Sequence, residues 1–227
     1  MEEEKQLSGE ESLQLITTML QKAKGGFHEK GTSAILWGSV VAIAGLVSFA
    51  ELYWDFSIRF DIWIIVLAAI VPQIFISIKE SRERKARSYD GAYLSAIWTV
   101  YGISMFALMF YVNIMPSATQ RILTAFGTEW FSKNLRTGEL TPLEPYVVGR
   151  SSIFLILFSI PTLTTGMATR FKPMIIGSLL CYGFFVISCF VINTYDMLLL
   201  ALAGIFNWLI PGIILRRRYL KGKCANV

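Results

Sequence analysis

Six apolar stretches of bilayer length follow one another along this chain, and none of them contains a charged side chain. A helix needs roughly 20 residues to cross the hydrocarbon core of a bilayer, and about 17 to 25 are acceptable. Helices of a soluble protein would carry a polar face, which these stretches lack. The pattern therefore predicts an all-α, polytopic membrane helix bundle with six transmembrane helices. The predicted spans are residues 33–50, 62–78, 92–112, 151–169, 174–192 and 197–215.

The predicted spans form one transmembrane domain, residues 33–215, and leave no room for a separate soluble domain. An arm of residues 1–32 precedes this domain and a basic tail of residues 216–227 follows it. Only 16% of the 227 residues are charged, against about 25% in a typical soluble domain. The first apolar stretch is too long for the h-region of a cleavable signal peptide, so we expect none.

Lys and Arg residues are distributed unevenly between the two ends of the spans. Sixteen of the 21 lie in the N-terminal arm, the 79–91 connection, the 170–173 turn and the tail, which share one face if six helices alternate. The positive-inside rule then predicts that both termini are cytoplasmic. It also places anionic lipid, rather than nucleic acid, at this face. The other face has Arg59, Arg121, Lys133, Arg136 and Arg150.

The N-terminal arm has the pattern of an amphipathic helix over residues 9–24. Ser8 and Glu11 fit a capping box at its start, and Gly25 and Gly26 end it. We expect this helix to lie on the cytoplasmic surface of the bilayer. The alternative is a docking helix for a soluble protein partner. Its apolar positions are Leu13, Ile16, Leu20 and Ala23.

The outer loop, residues 113–150, is too long to be a simple turn. Ile122, Phe126 and Trp130 recur at a spacing of four and predict a helix on the outer surface of the membrane. Pro142 and Pro145 then return the chain to the membrane in extended form. The loop is interpreted as a lid, a binding surface or a variable insertion.

The six predicted spans contain no Asp, Glu, Lys, Arg or His side chain. Catalytic and proton-coupled membrane proteins usually keep such residues at the middle of the membrane. The single histidine, His28, precedes the first span, so neither a serine–histidine site nor a histidine metal site has support. The three cysteines form no CxxC motif, which argues against a structural disulfide or zinc site. We therefore predict no catalytic residue, no metal and no cofactor.

Polar residues and prolines within the spans are the candidates for a functional site. Such residues can build a substrate site at the centre of a bundle. They can equally join helices, at about 0.6 kcal/mol per hydrogen bond. We expect Gln73 and Asn207 to lie at similar depth and to point into the bundle. There they meet each other, the backbone groups that Pro72 and Pro211 leave without a hydrogen bond, or water. The polar candidates are Gln73, Asn207 and Thr164, and the predicted helix breaks are Pro72, Pro161 and Pro211.

Several short motifs resemble those of a family of uncharacterised six-span membrane proteins of Bacteroidetes. The resemblance implies a bacterial cytoplasmic membrane and implies no activity. It does not extend to the outer loop. The motifs are Glu11-Ser12-Leu13-Gln14-Leu15-Ile16, Leu36-Trp37-Gly38, Phe171-Lys172-Pro173-Met174-Ile175-Ile176-Gly177 and Ile210-Pro211-Gly212.

Two classes of function follow from these features. The N-terminal helix, the basic face and the uncharged spans favour a non-enzymatic docking, sensing or scaffold protein. The prolines favour a small transporter, or a transporter subunit, for an apolar or neutral solute. An intramembrane enzyme has least support. Gln73, Asn207 and Thr164 around a wet central cavity would favour transport, whereas a dry core would favour docking.

Overall fold

Helices dominate the computed structural model, which describes residues 30–83, 89–147 and 149–224. The N-terminal helix predicted over residues 9–24 lies outside these residues. A π-helical segment, Gly204–Leu209, joins Asn193–Ala203 to Ile210–Cys224. The strands β1 (Phe131–Lys133) and β2 (Leu140–Pro142) form an antiparallel hairpin. The helices are α1 Thr32–Trp54, α2 Ile64–Ala68, α3 Ile70–Glu83, α4 Tyr89–Ala125, α5 Arg150–Ala168, α6 Lys172–Ser188, α7 Asn193–Ala203 and α8 Ile210–Cys224.

Five helical segments of the described chain are long and apolar enough to cross a membrane. The remaining apolar stretch forms α6, which has 17 residues and is shorter than the other five. The prediction of a helical, membrane-spanning protein is confirmed at this level. The five segments are Thr32–Trp54, Ile64–Arg82, Tyr93–Ala125, Arg150–Ala168 and Asn193–Lys221.

The core is formed by α1, α5, α6 and the continuous α7–π–α8 rod. Two glycines allow the backbones of α1 and α6 to approach this rod closely. A Cβ atom on Gly38 would overlap the backbone nitrogen of Leu209, and one on Gly177 would overlap the carbonyl oxygen of Phe206. Both approaches meet the π-helical segment, so that segment is held between two neighbouring helices.

Proline explains two of the irregularities in the helices. Pro211 has no N–H to donate to the Asn207 carbonyl, and the π-helical segment ends just before it. Pro72 likewise cannot donate to Ala68, and the helix is interrupted between α2 and α3. Pro161 differs, because α5 runs through it without a break. Neighbouring helices in a membrane bundle can satisfy the backbone groups that a proline frees.

The outer end of α4 departs from the predicted interfacial helix. The helix continues through Pro116 to Ala125, and its 37 residues extend about 55 Å at about 1.5 Å per residue. It ends where Gly127 adopts φ 66° and the Thr128 N–H bonds the Leu123 carbonyl at 2.9 Å, a Schellman ending. No glycine interrupts residues 113–125, so α4 continues through them instead of ending and giving way to a separate helix.

The basic segments that the structure describes meet at one end of the bundle. Gly31, at the start of α1, lies against Arg216 of α8. The Arg218 guanidinium lies 5.0 Å from the ring centroid of Phe171, in the α5–α6 turn. Gln73 of α3 bonds Ser33 of α1, which directs Lys79 and the following residues to the same end. The opposite end collects the end of α1 and the starts of α5 and α7.

Candidate functional site

Asn207 is fully buried in the π-helical segment, with 0% of its surface exposed. Its Nδ2 donates to the Phe158 carbonyl at 2.9 Å and to Thr162 Oγ1 at 3.2 Å. Ser178 Oγ lies 3.2 Å from Asn207 Oδ1. Both N–H donors and the acceptor of the amide are therefore satisfied. These bonds join α5, α6 and the π-helical segment directly.

Trp208 connects this polar group to α4. Its Nε1 donates to Thr162 Oγ1 at 2.9 Å, and its ring contacts those of Phe158 and Tyr101, with centroids 4.7 and 6.3 Å away. Tyr101 belongs to α4, so this stack is one of the few contacts between α4 and the core. A second is the 3.2 Å bond from Trp98 Nε1 to Thr165 Oγ1.

Gln73 belongs to a separate group of polar side chains. Its Oε1 accepts from Trp37 Nε1 at 3.1 Å. Its Nε2 lies 3.1 Å from Ser33 Oγ and 3.0 Å from Ser77 Oγ. The bonds to Trp37 and Ser33 attach α3 to α1, whereas Ser77 lies on α3 itself. Gln73 does not meet Asn207. The two amides therefore belong to two separate polar groups, and the prediction that both turn away from lipid stays a prediction.

Thr164 is not part of either group, because its hydroxyl bonds the Ile160 carbonyl of its own helix at 2.7 Å. The threonine that meets Asn207 is Thr162. A signal for this face was present in the sequence, since small and polar residues recur along α5 at intervals of three and four. The buried members of this stripe are Ser159, Thr162, Thr165 and Gly166.

A cleft of about 410 Å³ opens at the end of the bundle away from the basic segments. Glu51 and Asp55 lie on it one helical turn apart, at the end of α1. Arg150, which begins α5, and Asn193, which begins α7, also line it. The full lining is Ser48, Glu51, Leu52, Asp55, Phe56, Ser57, Trp63, Arg150, Asn193 and Met197.

Two hydrogen bonds hold the connection between α1 and α2 against this cleft. Glu51 Oε1 accepts from the Ile58 N–H at 2.8 Å. Trp63 Nε1 donates to Ser48 Oγ at 3.1 Å. These contacts hold the connection in place, and neither of them involves the side chain of Asp55 or Arg150.

Asp196 is buried close to the cleft, with 8% of its surface exposed, and its Oδ1 has no hydrogen-bond partner. Residues 193, 196 and 197 share one face of α7, because positions three and four apart are neighbours on a helix. The Ser188 hydroxyl lies beside the Asp196 carboxyl and bonds Ser152 of α5. Asp196 lies just before the sixth predicted span and was not among the predicted site residues.

The hairpin beyond α4 forms a small unit of its own. Leu143 N–H bonds the Trp130 carbonyl at 2.8 Å, and Asn134 N–H bonds the Glu139 carbonyl at 2.9 Å. All residues of both strands are exposed. Leu135, in the turn, is 93% exposed, and Phe126, between α4 and the hairpin, is 80% exposed.

No family model, curated protein or solved structure matches the chain. The resemblance to a Bacteroidetes family therefore stays a prediction. Within the described residues, no three His, Cys, Asp or Glu side chains are grouped to hold a metal ion.

Proposed function

We propose that this chain is a non-enzymatic membrane protein that docks or scaffolds a partner protein through its outer hairpin. The observation that carries the proposal is the exposure of Leu135 and Phe126 on a structured element beyond the spans. A two-stranded hairpin that packs on nothing is marginally stable in water. Its strands keep one free edge each, to which an extended segment of a partner can add. Docking would bury the apolar side chains and stabilise the hairpin.

The mixed charges around the hairpin favour a protein partner. Lys133 pairs with Leu140 across the hairpin, and Arg136 and Glu139 adjoin Leu135 and Leu140 in the chain. Protein interfaces combine an apolar centre with a polar rim of this kind. Burying one large apolar side chain contributes about 1.5–3 kcal/mol, so a few such residues can anchor an interface.

The proposed topology has six spans in a bacterial cytoplasmic membrane, with both termini inside. The α6 helix is about 26 Å long at about 1.5 Å per residue, and 17 residues is the short end of the acceptable range. An even number of spans puts the basic segments on one side, as the positive-inside rule requires. In this topology the N-terminal arm, whose sequence predicts an amphipathic helix, faces a cytoplasmic surface rich in anionic lipid.

Transport of a neutral solute is the second candidate function. One observation favours it, because π-helical segments are frequent at functional sites and Gly204–Leu209 is one. The bonds of Asn207 favour docking instead. Its partners Thr162 and Ser178 contact the amide directly, and both described cavities lie at the outer end of the chain's helices.

Photo-crosslinking in the native cells tests the docking proposal. A photoreactive amino acid in place of Leu135 is expected to give one discrete protein adduct on irradiation. The control is the same amino acid at Ile103, an exposed position within the apolar part of α4, where lipid adducts are expected. Identical products from the two positions, or no protein adduct at Leu135, would refute docking through the hairpin.

A further inference from the structure

The cleft at the outer end of the bundle presents both signs of charge to the same space. Glu51 and Asp55, at the end of α1, and Arg150, at the start of α5, all line it. In the described part of the chain, no ion pair joins Arg150 to either carboxylate. Opposite charges that line one cleft without pairing leave room for a ligand that carries the complementary charge to each.

Asp196 adds negative charge next to the α7 residues that line the cleft, beside Ser188 at the end of α6. Its Oδ1 is buried without a hydrogen-bond partner, and it lies on the face of α7 from which Asn193 and Met197 reach the cleft. Buried carboxylate oxygens are normally satisfied by a donor, water or a cation. A cationic group bound at Glu51 and Asp55 would be attracted by this carboxylate as well.

The position and the apolar lining of the cleft indicate the source of such a ligand. The cleft lies where α1 ends and α5 begins, at the boundary of their apolar segments. Leu52 and Phe56 line it and remain exposed, so apolar surface continues from the charged site along the side of the bundle. A lipid can place its headgroup among the charges and its acyl chains along this surface.

We propose that this cleft binds the phosphoethanolamine headgroup of an outer-leaflet phospholipid. Its phosphate accepts hydrogen bonds from the Arg150 guanidinium, which can make two parallel bonds to a phosphate. Its ammonium donates to Glu51 and Asp55. The volume of about 410 Å³ falls in the range of small-molecule sites. This site is independent of the hairpin and of the docking function proposed for it.

Lipid retention by the purified full-length protein tests this assignment. The protein is reconstituted with equal amounts of phosphatidylethanolamine, phosphatidylcholine and phosphatidylglycerol, extracted gently, and analysed by native mass spectrometry. Phosphatidylethanolamine is expected to be retained in preference, because phosphatidylcholine lacks the N–H donors and phosphatidylglycerol lacks the amine. Equal retention of the three lipids would overturn the proposal.

Charge-removing variants distinguish the basic from the acidic side chains of the cleft. Arg150→Gln is expected to lower retention of phosphatidylethanolamine by about tenfold, which corresponds to ~1.4 kcal/mol. Glu51→Gln with Asp55→Asn is expected to reverse the preference toward phosphatidylglycerol, because Arg150 is then the only charged side chain that lines the cleft. Arg59→Gln, which removes an outer charge that does not line the cleft, is the matched control. Variants that retain the lipids as this control does would refute the site.

A soluble ligand of the same chemistry is distinguished by a separate arm of the experiment. Free phosphoethanolamine is added to lipid-depleted protein in detergent, and the thermal unfolding temperature is measured. A lipid site predicts no shift, because the soluble headgroup lacks the acyl chains that contact Leu52 and Phe56. A shift that Arg150→Gln abolishes would overturn the lipid assignment in favour of a soluble zwitterion.

Discussion

Replacing Asn207 with Leu tests whether the polar group in the core is a closed, structural one. The substitution removes two donated hydrogen bonds, to the Phe158 carbonyl and Thr162, and one contact with Ser178. None of these partners is left alone. Ser178 keeps the Met174 carbonyl at 2.7 Å, and Thr162 keeps the Trp208 N–H.

The magnitude follows from the number of bonds and from the lack of space. Hydrogen bonds between membrane helices contribute about 0.6 kcal/mol each on average, so losing three lowers the free energy of unfolding by about 2 kcal/mol. Because Asn207 is fully buried beside the close approach at Gly177, the branched Leu side chain adds about 1–3 kcal/mol of overpacking strain. We expect a total loss of about 3–5 kcal/mol.

Gln73→Leu is the matched control, because it removes the same kind of amide from a half-buried position. Its bonds to Trp37, Ser33 and Ser77 predict a loss of at most about 2 kcal/mol, without overpacking. Unfolding by SDS titration in mixed micelles measures both variants. If Asn207→Leu is no more destabilising than Gln73→Leu, the interpretation of a dry, tightly packed core is wrong.

Two further predictions concern packing and topology. Gly177→Ala is expected to destabilise the protein by more than about 2 kcal/mol, because its Cβ would overlap the Phe206 carbonyl. Its control is Gly183→Ala on the same helix, which has open space and should raise the free energy of unfolding by up to about 1 kcal/mol. Equal effects of the two variants in the same SDS titration would contradict the close approach. A reporter fused after Val227 should be active only if it is of the cytoplasmic type, and one inserted near Gly138 only if it is of the external type; the reverse pattern would overturn the proposed orientation.

The apolar segments could be predicted because a bilayer imposes a requirement on each segment by itself. Every helix that crosses it must be long and apolar, whatever its neighbours are, so hydropathy alone located the stretches that form α1 and α5. The outer end of α4 was predicted less well. Helix propagation beyond residue 112 depends on local helix formers and on the ending at Gly127, not on hydropathy.

The candidate site was predicted only in part, for a different reason. Hydropathy identifies Asn207 as a polar residue that must turn inward, but the identity of its partner depends on how α5 is rotated. Thr162 faces it and Thr164, two residues later, does not. The close approaches at Gly38 and Gly177 fix how α1 and α6 pack against the π-helical segment. The rotation of α5 follows from its own packing against α6, where Gly166 meets Met174 and Ile175.

The sequence by itself determined the helical class of this protein, its apolar spans and the clustering of positive charge, because each is a property of a local segment. Only the tertiary structure decided which side chains meet. The cleft joins Glu51, Arg150 and Asn193 from three helices, and Asp196, whose Oδ1 has no hydrogen-bond partner, lies in an ordinary helical turn. Such sites arise from the packing of helices against one another, which no single segment encodes.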